Sequence, residues 1–370
     1  KFVVMVPYEW SGSRVKQVSK NILVVGVFEE HKLHLYPKIL TWLKKFAMAK
    51  HMVVHSEFCA SGGIYVRAMV IPFLALIKAT GREITYYAHN VASDIGEYQE
   101  HLGLPSGVRL DLTRFGYKSY LKMLSYVVDT FVVLEASIKD RLVQVMGKKV
   151  RILVAPHWIE TKKKIMSKLQ ARKILGLDLH KKVVVSFGFL SWYKGADVVV
   201  EAAKYLPMSY TLVLAGGEAT SLKDKEHYIE YLNALKANAN VNGVEEPIIV
   251  EAVPNKASRP FGRGGIQQAL QRNTPVVMSK AIQAGLGLNW PNSFDGNDPK
   301  RLAKAVDKYF EDRVTQKEVI VSMSELTVSR RISKLLPEHF EQVYVGSKSN
   351  KVMLEWNSGK STQEIQAMVG

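Results

Sequence analysis

Strand-like and helix-like segments alternate along this chain in two successive runs, and this order constrains the fold more than any other sequence feature. In the first run, apolar and β-branched segments predict strands, and segments with apolar residues at helical spacing predict helices. The predicted strands are residues 2–7, 22–28, 52–55, 84–88, 130–134 and 150–154, and the predicted helices are residues 36–49, 62–78, 117–127 and 137–146. This alternation predicts parallel strands joined by right-handed crossovers.

The alternation stops at residues 155–160, where a basic segment begins, and we predict the domain boundary there. The second run predicts strands at residues 183–187, 211–215, 248–253 and 275–278, and helices at residues 167–175, 197–205, 225–236, 266–271, 299–310 and 331–344. We therefore expect an α/β protein with two Rossmann-like domains, residues 1–160 and 161–345, and a tail, residues 346–370. Two such sheets in tandem predict a ligand-binding cleft between the carboxyl ends of their strands.

Composition limits the class of protein. The 370 residues are enough for two domains of ordinary size, each with its own core. The single cysteine, Cys59, excludes an internal disulfide and a cysteine metal cage, so we expect a reducing, cytoplasmic location. The longest apolar run, residues 68–77, contains Pro72 and is shorter than the roughly 20 residues that span a bilayer, so it predicts a buried helix. The sequence begins at Lys1 without Met, and we expect it to lack pieces of the gene product.

The chain is strongly basic, with a formal net charge of +17. Residues 139–182 contain 13 lysines or arginines against three acids. Two interpretations stay open. Such a region attracts anionic membrane, nucleic acid or phosphorylated substrates over a long range, which would allow peripheral attachment at the inner face of a membrane. It is also consistent with an ordinary solvated surface.

Residues 183–206 combine a strand, a glycine loop and a helix. The β-branched run breaks at Gly188, a short polar loop leads to Lys194 and Gly195, and apolar residues at helical spacing follow. Backbone N–H groups, a helix N-terminus and a lysine ammonium then meet at one point, which suits a phosphate or diphosphate. From these residues alone, a buried strand-to-helix turn with an exposed lysine is an equally good explanation.

A second glycine-rich loop, Arg-Pro-Phe-Gly-Arg-Gly-Gly at residues 259–265, precedes a predicted helix. Consecutive N–H groups in such a loop form a turn that binds anions or hydroxyl groups. Together with this loop, the segments GFLSWYKGADVVVEA, LVLAGGE and NTPVVMS, at residues 188–202, 212–218 and 273–279, resemble the large retaining family 4 of GT-B-type glycosyltransferases. The resemblance extends over residues 2–344 and is strongest in the second half.

The resemblance implies a donor site in the second domain. Gly188 and Lys194 are expected to hold the donor diphosphate, and Arg263 to supply a second cation, since the family's usual arginine places hold Phe189 and Ser191. Arg259 stands where the family usually has a glutamate, and the second family glutamate falls on Gln267 or Gln268, depending on the direction of counting. The expected donor-binding residues are Gly188, Lys194, Gly216, Gly217, Arg259, Phe261, Gly262, Arg263, Gly264, Gly265, Gln267 and Gln268.

In the first domain the resemblance implies that Gly12 forms a glycine turn near the acceptor or the donor phosphate, and that His89 is catalytic and reaches toward the donor sugar. The alternative for His89 is a strand end with a satisfied imidazole. The implied reaction moves a sugar from a UDP- or GDP-sugar to an acceptor hydroxyl with retention at the anomeric carbon. The sequence has no Asp, Glu or His cluster with metal spacing, so we expect no cofactor and no metal.

The tail allows two interpretations. Residues 352–370 resemble the first two helices of a helix-turn-helix, with Gly370 at the turn. They are equally consistent with a GT-B crossover helix that packs on the first domain. The helix-turn-helix interpretation favours an alternative function, that of a DNA-associated protein that uses a weakened transferase scaffold for sugar or nucleotide sensing.

Overall fold

The computed structural model divides into two compact units after Pro156, four residues before the predicted boundary at residue 160. It describes residues 2–8, 15–19, 22–29, 32–56, 64–89, 91–92, 94–99, 106–147, 149–156, 166–190, 192–218, 222–241, 264–296 and 298–329. The predicted strand at residues 248–253, the predicted helix at residues 331–344 and the tail lie outside the described residues.

The first unit begins with a three-stranded sheet of β1 (Phe2–Pro7), β2 (Val15–Ser19) and β3 (Ile22–Phe28), in the order β1-β3-β2. The β1 and β3 strands are parallel, as predicted, but β2 was not predicted and pairs antiparallel to β3. Only two residues separate β2 from β3, which is too few for the crossover that parallel strands need. The expectation of parallel pairing throughout is wrong at this point.

A four-stranded parallel sheet follows in the order β4 (His51–Ser56), β5 (Glu83–Ala88), β6 (Thr130–Val133) and β7 (Ile152–Val154). These strands and their parallel pairing confirm the prediction. The helices of this unit are α1 (Leu35–Lys45), α2 (Ile64–Ala68), α3 (Val70–Ala79), α4 (Val108–Val127) and α5 (Ala136–Met146).

Two helices of this unit differ from the prediction. The helix predicted at residues 62–78 is divided at Met69 into α2 and α3, and Pro72 lies in the first turn of α3, where its missing N–H costs no hydrogen bond. Helix α4 begins at Val108 rather than at residue 117. Its first half has apolar residues on its exposed side, so the one-sided apolar pattern expected of a surface helix is absent there.

The core of the first unit lies between the helices and the sheets. Its fully buried side chains include Leu74 and Ile77 on α3, Ile84 on β5, Phe131 on β6 and Leu142 on α5. Burial of large aliphatic and aromatic side chains is the main source of stability in such a layer. The apolar run at residues 68–77 is only half buried, so the prediction of a buried helix is correct in part. Val70, Phe73, Leu74 and Ile77 lie in the core, whereas Met69, Pro72 and Leu76 are exposed.

The described part of the second unit contains two parallel strand pairs. Strands β8 (Lys182–Phe187) and β9 (Tyr210–Ala215) form one pair, and β10 (Met278–Ser279) and β11 (Ser293–Phe294) the other. Its helices are α6 (Lys168–Ile174), α7 (Ala196–Ala202), α8 (Glu226–Val241), α9 (Gly264–Gln271), α10 (Lys280–Gly285), α11 (Pro299–Glu311) and α12 (Arg313–Ser329). Elements α10, β11 and α12 were not predicted.

Part of the basic region at residues 139–182 stabilises the fold. Arg172 is buried and donates to the carbonyl oxygens of Asp178 and Leu179, at 3.1 and 2.8 Å. Lys182 pairs with Glu311, and its ammonium lies 4.8 Å from the centre of the Tyr210 ring. These two cations therefore do not belong to an unpaired basic surface. Within the described ranges, no helix is both long and apolar enough to span a bilayer.

Candidate functional site

The loop that follows β8 continues the pairing of β8 with β9 beyond the ends of both strands. Gly188 has φ of 137° and donates its N–H to the carbonyl oxygen of Ala215 at 3.0 Å. Leu190 donates to the carbonyl oxygen of Gly217 at 3.1 Å. Glycine adopts this positive φ without the steric cost that a side chain would add. The chain therefore turns at Gly188 while the hydrogen bonds to the next strand persist.

Gly216 lies against the backbone of this loop. A Cβ atom at position 216 would lie 1.6 Å from the carbonyl oxygen of Gly188 and 2.7 Å from its carbonyl carbon. Because the obstructing atoms are backbone, no side-chain rotation relieves the clash. The neighbouring Gly217 has no atom within 4 Å of an added Cβ. The two glycines predicted as site residues thus differ, and Gly216 alone is required for the close approach.

A buried tyrosine fixes the loop from the side of the core. The Tyr228 hydroxyl, on α8, donates to the carbonyl oxygen of Leu190 at 2.7 Å, and the Tyr228 side chain is fully buried. The Trp192 ring packs edge-on against Tyr228 at 6.1 Å and against Tyr231 at 5.5 Å between ring centres. Burial is the main cause that raises the pKa of the Tyr231 hydroxyl, and the Asp197 carboxylate raises it further. This aromatic cluster holds the loop in one conformation.

Lys194 ends the loop immediately before a helix. Residues Trp192–Lys194 form a single 3₁₀ turn, Gly195 has φ of 73°, and α7 begins at Ala196. The Lys194 side chain is exposed. The prediction of strand, glycine loop and helix for residues 183–206 is confirmed. Gly188 and Lys194 lie at the two ends of this loop, and Gly216 contacts the loop at Gly188.

The second predicted loop is described only from its end. Gly264 and Gly265 form the first positions of α9, and Gln267 and Gln268 lie on the same helix, although their side chains are outside the described part. The helix ends at Gln271, and Asn273, two residues beyond it, has φ of 51°. Five predicted site residues lie outside the described residues, so their predicted roles stay predictions. They are Arg259, Phe261, Gly262, Arg263 and, in the first unit, Gly12.

His89 lies directly after β5 in the first unit, and it has a partner that the sequence prediction did not include. The Nε2 atom of His89 lies 3.2 Å from Nδ1 of His55, so one nitrogen donates the hydrogen and the other accepts it. The His55 ring stacks on Tyr87 at 4.2 Å between ring centres. His89 is thus connected to the end of β4 through His55.

The strand register explains how these three rings meet. His55 pairs with Tyr87 in the parallel ladder of β4 and β5, and His89 is two residues beyond Tyr87. Residues two apart in an extended segment point to the same side of a sheet. The signal for His55 was present in the sequence, because one predicted strand ends at His55 and the other is followed directly by His89. The register that brings the two histidines together was not predicted.

No group of three or more His, Cys, Asp and Glu side chains that could hold a metal ion occurs in the described part of the chain. The expectation of metal independence remains a prediction, since several predicted site residues lie outside that part.

Solved structures with the same arrangement of elements exist. The sucrose-phosphate synthase of Thermosynechococcus elongatus is 17% identical and matches with a TM-score of 0.63 over 93% of this chain and 89% of that chain. Anabaena HepE, solved in complex with UDP-glucose, is 16% identical and matches with a TM-score of 0.61 over 87% of this chain and 86% of that chain. The chain has the GT-B fold. The expected fold class, two Rossmann-like units with parallel strands, is confirmed.

Sequence comparison gives a more limited match. A D-inositol 3-phosphate glycosyltransferase from Corynebacterium diphtheriae is 27% identical in an alignment of 177 residues that covers 42% of this chain and 40% of the relative. The match therefore spans less than half the length of this curated relative. No protein-family model matches the chain.

Proposed function

We propose that this protein is a retaining glycosyltransferase that moves a sugar from a nucleoside diphosphate sugar to an acceptor hydroxyl. The observation that carries the proposal is the close backbone contact between Gly188 and Gly216, in a loop that ends at Lys194. Gly216 allows this contact, and an added Cβ atom at Gly188 would meet no atom within 4 Å, so the backbone at Gly188 is open to a bulky anion. A rigid loop also loses little conformational entropy when a ligand binds.

The chemistry of the reaction needs this kind of loop. When the bond between the sugar and the diphosphate breaks, negative charge develops on the leaving oxygen. A lysine ammonium and oriented N–H groups, in fixed positions before the reaction starts, stabilise that charge with little reorganisation. Lys194 takes this role in the proposal, and Arg263 is the proposed second cation because a guanidinium matches phosphate oxygens well.

His89 is proposed to act on the sugar rather than on the diphosphate. A polar side chain at the carboxyl end of a parallel strand is in the usual position for ligand contact in open α/β sheets. His55 limits the hydrogen-bonding choices of His89, since the shared hydrogen bond fixes the role of one ring nitrogen. The other nitrogen of His89 is proposed to bind a sugar hydroxyl or carbonyl group.

A UDP-sugar is the first donor to test. HepE, which shares the fold, was solved with UDP-glucose and with UDP. The Corynebacterium relative is named a glycosyltransferase. The bound ligands and the name describe HepE and the Corynebacterium relative. They support the proposal that a sugar nucleotide is the donor of this protein. A GDP-sugar is the second choice. In the proposal, residues 188–217 bind the diphosphate, which UDP-sugars and GDP-sugars share, so these residues do not distinguish the two bases.

The proposal is tested by measuring nucleoside diphosphate release from UDP-glucose, UDP-galactose, UDP-N-acetylglucosamine and GDP-mannose. Each donor is incubated with the protein with and without EDTA, and product anomers are assigned by NMR. We expect slow release from at least one donor, unchanged by EDTA, and retention of configuration in any transfer product. Absence of release from every donor, together with salt-sensitive binding to duplex DNA, would overturn the enzyme proposal.

A further inference from the structure

Helix α4 has apolar side chains on two opposite faces. One face is buried in the core and contains Leu110, Tyr117, Leu121 and Leu124. The opposite face is exposed and contains Val108, Leu112, Phe115, Met123 and Tyr126, with relative exposures from 51% to 85%. Their spacing of 4, 3, 8 and 3 residues places them along one side of an α-helix. A helix that only covers a core has polar residues on that side.

The neighbouring helices have a similar exposed stripe. Four exposed side chains lie on and between α2 and α3 at a spacing of 4, 3 and 4 residues. They are Tyr65, Met69, Pro72 and Leu76. Helix α3 packs against α4, and both bury their other faces in the same core. The two stripes therefore point away from that core. We call these nine side chains the helical face.

Basic residues surround the helical face. Helices α2, α3 and α4 together contain six lysines or arginines and one acid, Asp111. Lys78 pairs with Asp129, and Arg114 pairs with Asp94 and Asp111. Arg109, Lys118 and Lys122 are exposed on α4. The helical face is thus apolar and aromatic at its centre and positively charged at its edges.

We propose that the helical face binds the surface of an anionic lipid bilayer. Apolar and aromatic side chains of a surface helix enter the boundary between headgroups and acyl chains, while flanking lysines and arginines bind lipid phosphates. Tyrosine is favoured at this depth, and Tyr65 and Tyr126 lie on the helical face. A second copy of this chain is a poorer occupant, because a two-fold contact would bring the basic edges of two helical faces together.

This surface differs from the basic region at residues 139–182, which carries 13 cations. The large apolar side chains exposed on its helix α6, Leu169 and Ile174, are five residues apart and therefore do not share one side of the helix. The proposal is also independent of the proposed sugar-donor site, because bilayer binding is measured without any donor.

The test is co-sedimentation of the full chain with vesicles. Vesicles of phosphatidylcholine and phosphatidylglycerol are compared with vesicles of phosphatidylcholine alone, at low and high salt. We expect binding to the anionic vesicles only, weakened by salt. The double variant Leu112→Gln with Phe115→Ser should lose at least about tenfold in partition, since two exposed apolar side chains no longer enter the bilayer. The variant Lys118→Gln with Lys122→Gln should weaken binding to anionic vesicles as well.

The matched control is Met208→Ser, which removes an apolar side chain that is 94% exposed in the second unit. It should bind anionic vesicles as the unchanged protein does. Thermal unfolding verifies that each variant is folded, which we expect because every substituted side chain is exposed. The proposal is overturned if the unchanged protein ignores anionic vesicles or if the Leu112 and Phe115 variant binds them normally. A dimer in solution that the same variant dissociates would assign the helical face to a second copy instead.

Discussion

A Cβ atom at position 216 would lie 1.6 Å from the carbonyl oxygen of Gly188. The two glycines follow adjacent parallel strands whose last paired residues are Phe187 and Ala215. The pairing continues beyond these residues, since Leu190 donates to the carbonyl oxygen of Gly217. The conformation of the candidate diphosphate loop is therefore fixed by contact between two backbones.

The first prediction concerns Gly216→Ala. The added methyl group meets backbone atoms that cannot rotate away, so either β9 or the loop must shift. We expect a loss of at least about 2 kcal/mol in the free energy of unfolding, as for overpacked sites. Urea denaturation measures it. Gly217→Ala is the matched control, because its Cβ meets no atom within 4 Å, and it should cost less than about 0.5 kcal/mol. Equal losses in the two variants would contradict the contact.

The second prediction concerns Tyr228→Phe. The change removes the hydroxyl that donates to the carbonyl oxygen of Leu190 and leaves that carbonyl without this donor in a buried place. We expect a loss of about 1–3 kcal/mol in the free energy of unfolding. Tyr231→Phe is the control, since Tyr231 is less buried than Tyr228 and its hydroxyl donates to the Asp197 carboxylate at the longer distance of 3.4 Å, so its loss should matter less. A larger loss for Tyr231→Phe would show that the loop is anchored elsewhere.

The third prediction concerns the pH dependence of stability. Burial lowers the pKa of His51 below its ordinary value of 6.5, and the Glu83 and Asp129 carboxylates oppose this shift only in part. The unfolded chain therefore takes up a proton at a higher pH than the folded chain does. Stability rises with pH wherever the unfolded state binds more protons, so it should fall as the pH decreases below about 6.5.

His51→Gln removes this titration and retains a polar side chain near the Thr85 hydroxyl, which lies 2.8 Å from His51 Nε2. Urea denaturation of both proteins at about pH 7.5 and about pH 5.5 measures the effect. The unchanged protein should lose more stability between these values than the variant loses. A variant with the same or a steeper loss would rule out His51 as the source.

The fourth prediction concerns His55→Phe. The phenyl ring can still stack on Tyr87, but it cannot form the hydrogen bond to His89. The ¹⁵N chemical shifts of His89 should change, because the partner that fixes its tautomer is lost. If His89 acts on the donor sugar as proposed, turnover should fall roughly fivefold, which corresponds to one hydrogen bond of about 1 kcal/mol.

His227→Phe is the control for this experiment, because the His227 ring contacts Trp192 in the second unit. It should leave the His89 shifts unchanged. Unchanged His89 shifts in His55→Phe would show that the two histidines do not share a hydrogen bond in solution.

Much of the fold could be predicted from the sequence, since strands that are buried on both faces give continuous apolar runs. Strand β5, at Glu83–Ala88, is an example, and five of its six residues are buried. Strand β2 was missed because four of its five residues are exposed and show no alternation. Strands β10 and β11 have two residues each, too few for any periodic signal.

The candidate site was predicted in part for similar reasons. Gly188 and Lys194 are close in sequence, so a local pattern was enough to associate them. The contact of Gly188 with Gly216 and the pairing of His55 with His89 join positions about 30 residues apart, as their numbers show. These contacts depend on which strands are neighbours and on their register, which local patterns do not specify.

The central claim is that the loop between Gly188 and Lys194 binds a nucleoside diphosphate sugar. Isothermal titration calorimetry with UDP-glucose and GDP-mannose, on the unchanged protein, Lys194→Ala and Lys236→Ala, tests it most directly. Lys236 is an exposed lysine on α8 of the same unit and serves as the control. We expect binding of at least one donor, about tenfold weaker or more in Lys194→Ala because a charged hydrogen bond is lost, and unchanged in Lys236→Ala. Full affinity in Lys194→Ala, or no binding of either donor to the unchanged protein, would contradict the claim.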